Sequence, residues 1–61
     1  MMSKEEFAAL RTAAGMTQDA LADWLGVNIR TVQRYESGDV PIAGAVEKLL
    51  LILKERTEAE G

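Results

Sequence analysis

Residues 17–38 read TQDALADWLGVNIRTVQRYESG, and this stretch decides the fold. It contains two segments with helical spacing of apolar residues, separated by Gly26. In the first segment, Leu21, Ala22 and Leu25 fall on one side of a helix. Glycine adopts positive φ without steric cost, so Gly26 predicts a tight turn. The stretch therefore predicts two short helices joined by that turn.

Polar residues mark where both of these helices begin. Thr17 is the expected N-cap of a helix from Gln18 to about Leu25, and Asn28 is the expected N-cap of the next, which ends at about Ser37. Side-chain oxygens at such positions accept hydrogen bonds from backbone N–H groups that have no partner within the helix. No segment shows the alternation of apolar and polar residues that would predict a β-strand.

One further helix is expected on each side of this pair. Ser3 and Glu6 have the spacing of a capping box and begin a helix that runs to about Ala14. Pro41 is expected near the start of a fourth helix, which extends to about Arg56. The sequence predicts an all-α fold, a compact bundle of four to five short helices.

The 61 residues allow one modest core and one domain, predicted at residues 1–56 with a short polar tail at residues 57–61. The sequence has no cysteine and no histidine, so disulfides are excluded and the usual zinc and haem ligand sets cannot form. We therefore expect no metal and no cofactor. The longest apolar run, Leu49 to Leu53, is too short to cross a membrane, and a soluble, cytoplasmic protein is expected.

The net charge of −3 argues mildly against a nucleic-acid partner. However, the segment from Glu55 to Gly61 holds three glutamates and one arginine. Residues 1–54 carry six positive and seven negative side chains, which is close to balance. The placement of the charges therefore weakens the objection.

The third helix is expected to have two different faces. One face carries the residues that would anchor it to the core, and the other is polar with one exception. The first face consists of Val32, Tyr35 and Glu36, and the second of Ile29, Arg30, Gln33 and Arg34.

Residues 7–38 resemble the phage repressor and Cro type of helix-turn-helix domain, often called the Xre family. The motif that carries the resemblance is Leu10-Arg11, Gly15-Met16-Thr17-Gln18, Leu21-Ala22, Leu25-Gly26-Val27, Arg30-Thr31-Val32 and Tyr35-Glu36-Ser37-Gly38. The resemblance implies a lambda-repressor-like fold that binds specific sequences of double-stranded DNA. It also implies dimers on inverted repeats, with repression of a promoter as the common outcome.

The resemblance also implies roles by position. Gln18 would contact a phosphate of the DNA backbone, and Arg11 would form a structural ion pair with Glu36. The other implied DNA contacts lie on or next to the third helix, which would enter the major groove. They are Ile29, Arg30 and Arg34 at base-reading positions, and Asn28, Thr31 and Gln33 near the backbone or flanking bases.

Two residues depart from the family pattern. Ile29 is apolar where the family often has a hydrogen-bonding residue, so a thymine methyl is its expected contact. Asp39 stands where many members carry a basic residue, which removes a favourable interaction with phosphate. The aromatic side chains of Trp24 and Tyr35 are expected in or at the edge of the core, and not stacked on bases.

The apolar residues Leu51 and Ile52 exceed what one buried stripe of the fourth helix needs. They either complete an unusually large core or form a homodimer interface through this C-terminal helix, which we favour because symmetric dimers are the commonest oligomers. The excess of acidic over basic residues and the apolar fourth helix also fit a second class of protein. This class is a protein-interaction module, such as an antitoxin-like partner protein. Common carboxylates are the only feature in favour of an enzyme, so none is expected.

Overall fold

The computed structural model describes residues 2–60. Their regular secondary structure consists of helices: α1 (Lys4–Ala13), α2 (Gln18–Leu25), α3 (Ile29–Ser37) and α4 (Gly44–Glu60). α3 packs against both α1 and α2, and α4 packs against α1. The predicted all-α fold is confirmed.

Three predicted N-caps are present. Ser3 and Glu6 form the capping box of α1, with the Ser3 hydroxyl accepting the Glu6 backbone N–H at 3.1 Å. Thr17 and Asn28 cap α2 and α3 through side-chain oxygens that accept backbone N–H groups at 3.1 and 2.9 Å. These local hydrogen bonds fix where each of the first three helices begins.

The turn between α2 and α3 depends on Gly26, which ends α2 with φ 74° and ψ 30°. This left-handed conformation reverses the chain and lets the Val27 N–H donate to the Ala22 carbonyl at 2.9 Å. Val27 then packs, half-buried, against the core. The turn therefore sets the angle at which α3 leaves α2.

Each helix contributes one fully buried side chain to the centre of the molecule. These are Phe7, Leu21, Val32 and Leu50, from α1 to α4 in order. The Phe7 ring also packs against Tyr35 of α3, with ring centroids 5.5 Å apart and planes tilted by 54°. α3 is thereby anchored to the core along one side.

Within the described residues 2–60, two buried core residues lie outside the helices, and neither was predicted from the sequence. Met2 is buried one position before the Ser3 cap, and Phe7 occupies the position with which such a residue packs in a hydrophobic staple. Ile42, directly after Pro41, is also buried. The apolar residue before a capping box was a signal for Met2, whereas Ile42 is placed by the path of its connecting loop.

α4 differs from its prediction at both ends. It begins at Gly44, after a connection that carries Pro41 outside the helix, and continues to Glu60 instead of ending near Arg56. Glutamate, lysine and arginine are good helix formers, so the polar composition does not end the helix. Leu49, the first residue of the longest apolar run, is 38% exposed because it lies beside the buried stripe of α4. Within residues 2–60 no helix is both long enough and apolar enough to span a membrane.

Replacing Gly26 with alanine tests the importance of the turn. A Cβ at this position meets no atom within 4 Å, so the expected cost comes from the left-handed backbone alone. We expect Gly26→Ala to lower the free energy of unfolding by about 1 to 2 kcal/mol in urea denaturation.

Gly44→Ala is the matched control. Its added Cβ also meets no atom within 4 Å, but Gly44 is the first residue of α4 and has no positive φ. It should raise stability by about 0.5 to 1 kcal/mol. Equal losses in the two variants would show that the backbone conformation at Gly26 is not what matters.

Candidate nucleic-acid interface

The outward face of α3 presents a row of exposed polar side chains. Arg30, Gln33 and Arg34 are exposed, whereas Val32 and Tyr35 on the other side are buried. This division follows from the helical period, which places residues three and four apart on the same face. A nine-residue helix anchored on one side therefore holds a polar face toward solvent.

A shallow depression of about 340 Å³ lies on this face, lined by Arg30, Gln33, Arg34, Ser37 and Asp39. Within residues 2–60, the side chains of Arg30, Gln33 and Arg34 form no hydrogen bond or ion pair. Their donors are free for an external ligand. A guanidinium fork matches the O6 and N7 acceptors of guanine, and it also pairs with phosphate.

Ser37 and Asp39 were not among the predicted site residues. Ser37 follows Gln33 by one helical turn, so the helical period was a signal for its position. Asp39 follows the Gly38 cap and brings a carboxylate to the same depression. The negative charge reduces the local positive potential and disfavours a phosphate close to this end of α3.

The predicted ion pair between Arg11 and Glu36 is present and joins α1 to α3. Arg11 Nε donates to Glu36 Oε2 at 2.6 Å and Nη2 donates to Oε1 at 3.2 Å. Nη1 donates to the Met16 carbonyl at 2.9 Å, in the loop between α1 and α2. The side chains of Arg11 and Glu36 are only 21% and 13% exposed. This geometry is bidentate and structural, and it makes Glu36 unavailable to a ligand.

Gln18 is the first residue of α2 and lies next to this ion pair. It is half-buried, and its Nε2 donates to Glu36 Oε1 at 3.4 Å. A carboxylate only accepts hydrogen bonds, so this contact turns the amide nitrogen of Gln18 toward Glu36. The second hydrogen on that nitrogen stays free for an acceptor such as a phosphate oxygen.

The remaining predicted contacts lie at the N-terminal end of α3. Asn28 is exposed, and its side-chain oxygen is used by the helix cap, which leaves its amide hydrogens free. Thr31 is half-buried. Ile29, expected to face outward, is half-buried and packs against the core. It lies one turn before the buried Val32, and this explains why only part of its side chain faces solvent.

The two larger aromatic side chains have the predicted structural role. Tyr35 is buried against Phe7, and Trp24 is half-buried against the core. Both side chains therefore contribute to the packing of the core.

The geometry is a pair of short helices joined by a glycine turn, with the second helix anchored on one side and polar on the other. A family model described as a helix-turn-helix domain matches residues 5–60. The chain belongs to the helix-turn-helix domain family. Comparison with curated proteins and with solved structures found no significant match.

Membership of the helix-turn-helix family agrees with the resemblance to phage repressor and Cro proteins. It indicates a DNA-binding regulator, in a family that is typically not enzymatic. The exposed polar face belongs to the second helix of the motif, which is the helix that enters the major groove in helix-turn-helix proteins.

Removing Glu36 tests the structural role of the ion pair. Glu36→Ala leaves the Arg11 guanidinium largely buried without its carboxylate, so we expect a loss of about 3 kcal/mol in the free energy of unfolding. Thermal and chemical denaturation measure this loss. Asp23→Ala, at an exposed position on α2, is the control and should change stability by less than about 0.5 kcal/mol. A Glu36→Ala protein with wild-type stability and impaired DNA binding would instead assign Glu36 to recognition.

Proposed function

We propose that the protein is a cytoplasmic transcriptional repressor that binds an inverted-repeat operator as a homodimer, with α3 in the major groove. The observation that carries this proposal is the outward face of α3. Arg30, Gln33 and Arg34 are exposed and have no partner within residues 2–60, on a helix whose other side is fixed in the core. A helix of this diameter fits the major groove of B-DNA.

The DNA contact that we assign to each residue follows from its position in the helix-turn-helix motif. Arg30 lies in the first turn of α3, where a recognition helix meets base edges, and we assign it to direct readout of a guanine. Arg34 is one turn further along and reaches a base or a phosphate. Gln18 contacts a phosphate at the N-terminus of α2, where the helix dipole also favours a negative charge.

The flanking residues have supporting contacts in this proposal. The part of Ile29 that faces solvent packs against a thymine methyl. Asn28, Thr31 and Gln33 contact the backbone or flanking bases. Repression requires only that the bound protein occupies a promoter, so no further activity of the chain is needed.

A dimer explains how a small domain reaches useful affinity. One helix-turn-helix module makes few contacts, and two copies on an inverted repeat double them. Leu51 and Ile52 are 46% and 45% exposed on α4, in agreement with the surplus of apolar residues noted in the sequence. We assign the dimer contact to this helix.

Selection of bound duplexes from a random pool tests the proposal directly. We expect enrichment of one inverted repeat, with an affinity that falls steeply as salt increases because phosphate contacts release counterions. No enrichment, or binding that is indifferent to salt, would contradict the proposed function.

A protein-interaction module, such as an antitoxin-like protein, is the second candidate. The exposed apolar side chains of α4 and the net charge of −3 favour it. Such a module would show no enriched duplex in the selection, and would form a stable complex with a protein that covers α4. A complex that binds the operator only together with that protein would combine the two functions.

Replacing Arg30 with alanine distinguishes base reading from backbone contact. Loss of a bidentate contact to guanine should cost about 1 to 3 kcal/mol in binding and remove the preference at one position of each half-site. The measurement is a set of binding constants for all single-base variants of the selected operator.

Gln18→Ala is the matched comparison on the proposed phosphate contact. It should weaken binding to every operator variant by a similar factor, because phosphate contacts carry no base information. If Arg30→Ala also lowered affinity evenly across all variants, Arg30 would be a phosphate contact and the assignment to direct readout would be wrong.

A further inference from the structure

The exposed apolar residues of α4 do not form a single surface. Consecutive residues of an α-helix point about 100° apart, so Leu51 and Ile52 face different directions. Leu51 lies on the flank next to α1, where it lines a groove between the two helices. Ile52 does not line this groove, although its exposed fraction of 45% nearly equals the 46% of Leu51. Leu51 and Ile52 therefore cannot both lie at the centre of one symmetric dimer interface.

The groove between α1 and α4 has a volume of about 320 Å³ and an apolar floor. Met2, Leu10 and Ala13 form the side toward α1, and Leu51 forms the side toward α4. The groove shares no residue with the depression on α3. An occupant of the groove therefore leaves the proposed DNA-reading side chains uncovered.

The rim of the groove carries both signs of charge. Glu6 of α1 and Lys54 of α4 both line it, and both are exposed. In a two-fold dimer the same patch faces itself, so residue i of one copy meets residue j of the other, and j meets i. A patch with one lysine and one glutamate can pair with itself twice. A partner surface of one charge sign would attract one of these groups and repel the other.

We propose that a second copy of this chain binds at the α1–α4 groove. Leu51 packs near the two-fold axis, and Lys54 faces Glu6 of the partner subunit on both sides. The inference rests on the homodimer of the proposed function and specifies which flank of α4 forms it. Ile52 lies outside the interface.

Two aspartate substitutions at nearly equal exposure test this assignment. Leu51→Asp introduces a charge at the centre of the interface and should raise the dimer dissociation constant by about tenfold or more. Ile52→Asp should change it by less than about twofold. Sedimentation equilibrium over a concentration series measures both constants, and circular dichroism checks that each variant keeps its helical content. A larger effect of Ile52→Asp, or equal effects of the two, would overturn the groove assignment.

The same variants separate this inference from the proposed DNA-binding function. A folded Leu51→Asp monomer should still bind a duplex with one half-site as strongly as the wild-type monomer does, because α3 is untouched. A wild-type chain that stays monomeric at high micromolar concentration and on the full inverted repeat would overturn the dimer. Binding to the half-site duplex tests the DNA-binding function separately, because it does not require the dimer.

A pair of charge reversals provides an independent test. Chains with Lys54→Glu carry two glutamates at the rim, and chains with Glu6→Lys carry two lysines, so each should self-associate more weakly than the wild type. Mixed in equal amounts, the two should form a heterodimer in which both rim pairs are attractive. One of the two chains is isotopically labelled, so that native mass spectrometry separates the heterodimer from both homodimers. A heterodimer share clearly above the one half of all dimers that random pairing gives supports the proposal, and a share equal to one half overturns it.

Controls for the charge reversals lie on the same helices. Glu5→Lys and Lys48→Glu change exposed residues of α1 and α4 that do not line the groove. Mixing these two chains should give no preference for the heterodimer, and a preference equal to that of the rim pair would contradict the assignment. Because Glu6 belongs to the capping box of α1, the melting temperature of Glu6→Lys is measured beside that of Glu5→Lys.

Discussion

The ion pair between Arg11 and Glu36 is the interaction on which the arrangement of the first three helices depends. The two residues are 25 positions apart in sequence, and α2 lies between them. The guanidinium holds the Glu36 carboxylate with two nitrogens and the Met16 carbonyl with the third. Because Glu36 is next to the buried Tyr35, the pair fixes the rotation of α3 about its own axis. That rotation decides which side chains of α3 face outward.

The same ion pair also affects the charge that a ligand meets. The chain has a net charge of −3, which would repel a polyanion at long range. Glu36 is neutralised within the domain, so the outward face of α3 presents two arginines against the single carboxylate of Asp39. Screening at physiological salt limits the reach of distant charges to about 8 Å, so this local arrangement matters more than the total.

The sequence predicted the features that local chemistry decides and missed those set by packing. The N-caps predicted where the first three helices begin and Gly26 predicted where α2 ends, since each depends on hydrogen bonds within a few residues. The ion pair followed from the family resemblance. The burial of Ile42, the start of α4 at Gly44 and the half-buried side chain of Ile29 depend on how elements distant in sequence pack together. The different surroundings of Leu51 and Ile52 depend on the position of α1, which the pattern of α4 does not contain.

The polar face of α3 is separate from the residues that hold the helix in place. Arg30, Gln33 and Arg34 contribute no side-chain hydrogen bond within residues 2–60, whereas Val32 and Tyr35 are buried in the core on the other side of the helix. Substitutions in the first set therefore change what the surface recognises at little cost in folding free energy. New sequence preferences can arise by single substitutions without compensating changes in the core, so a scaffold of this kind is well suited to rapid divergence of binding specificity.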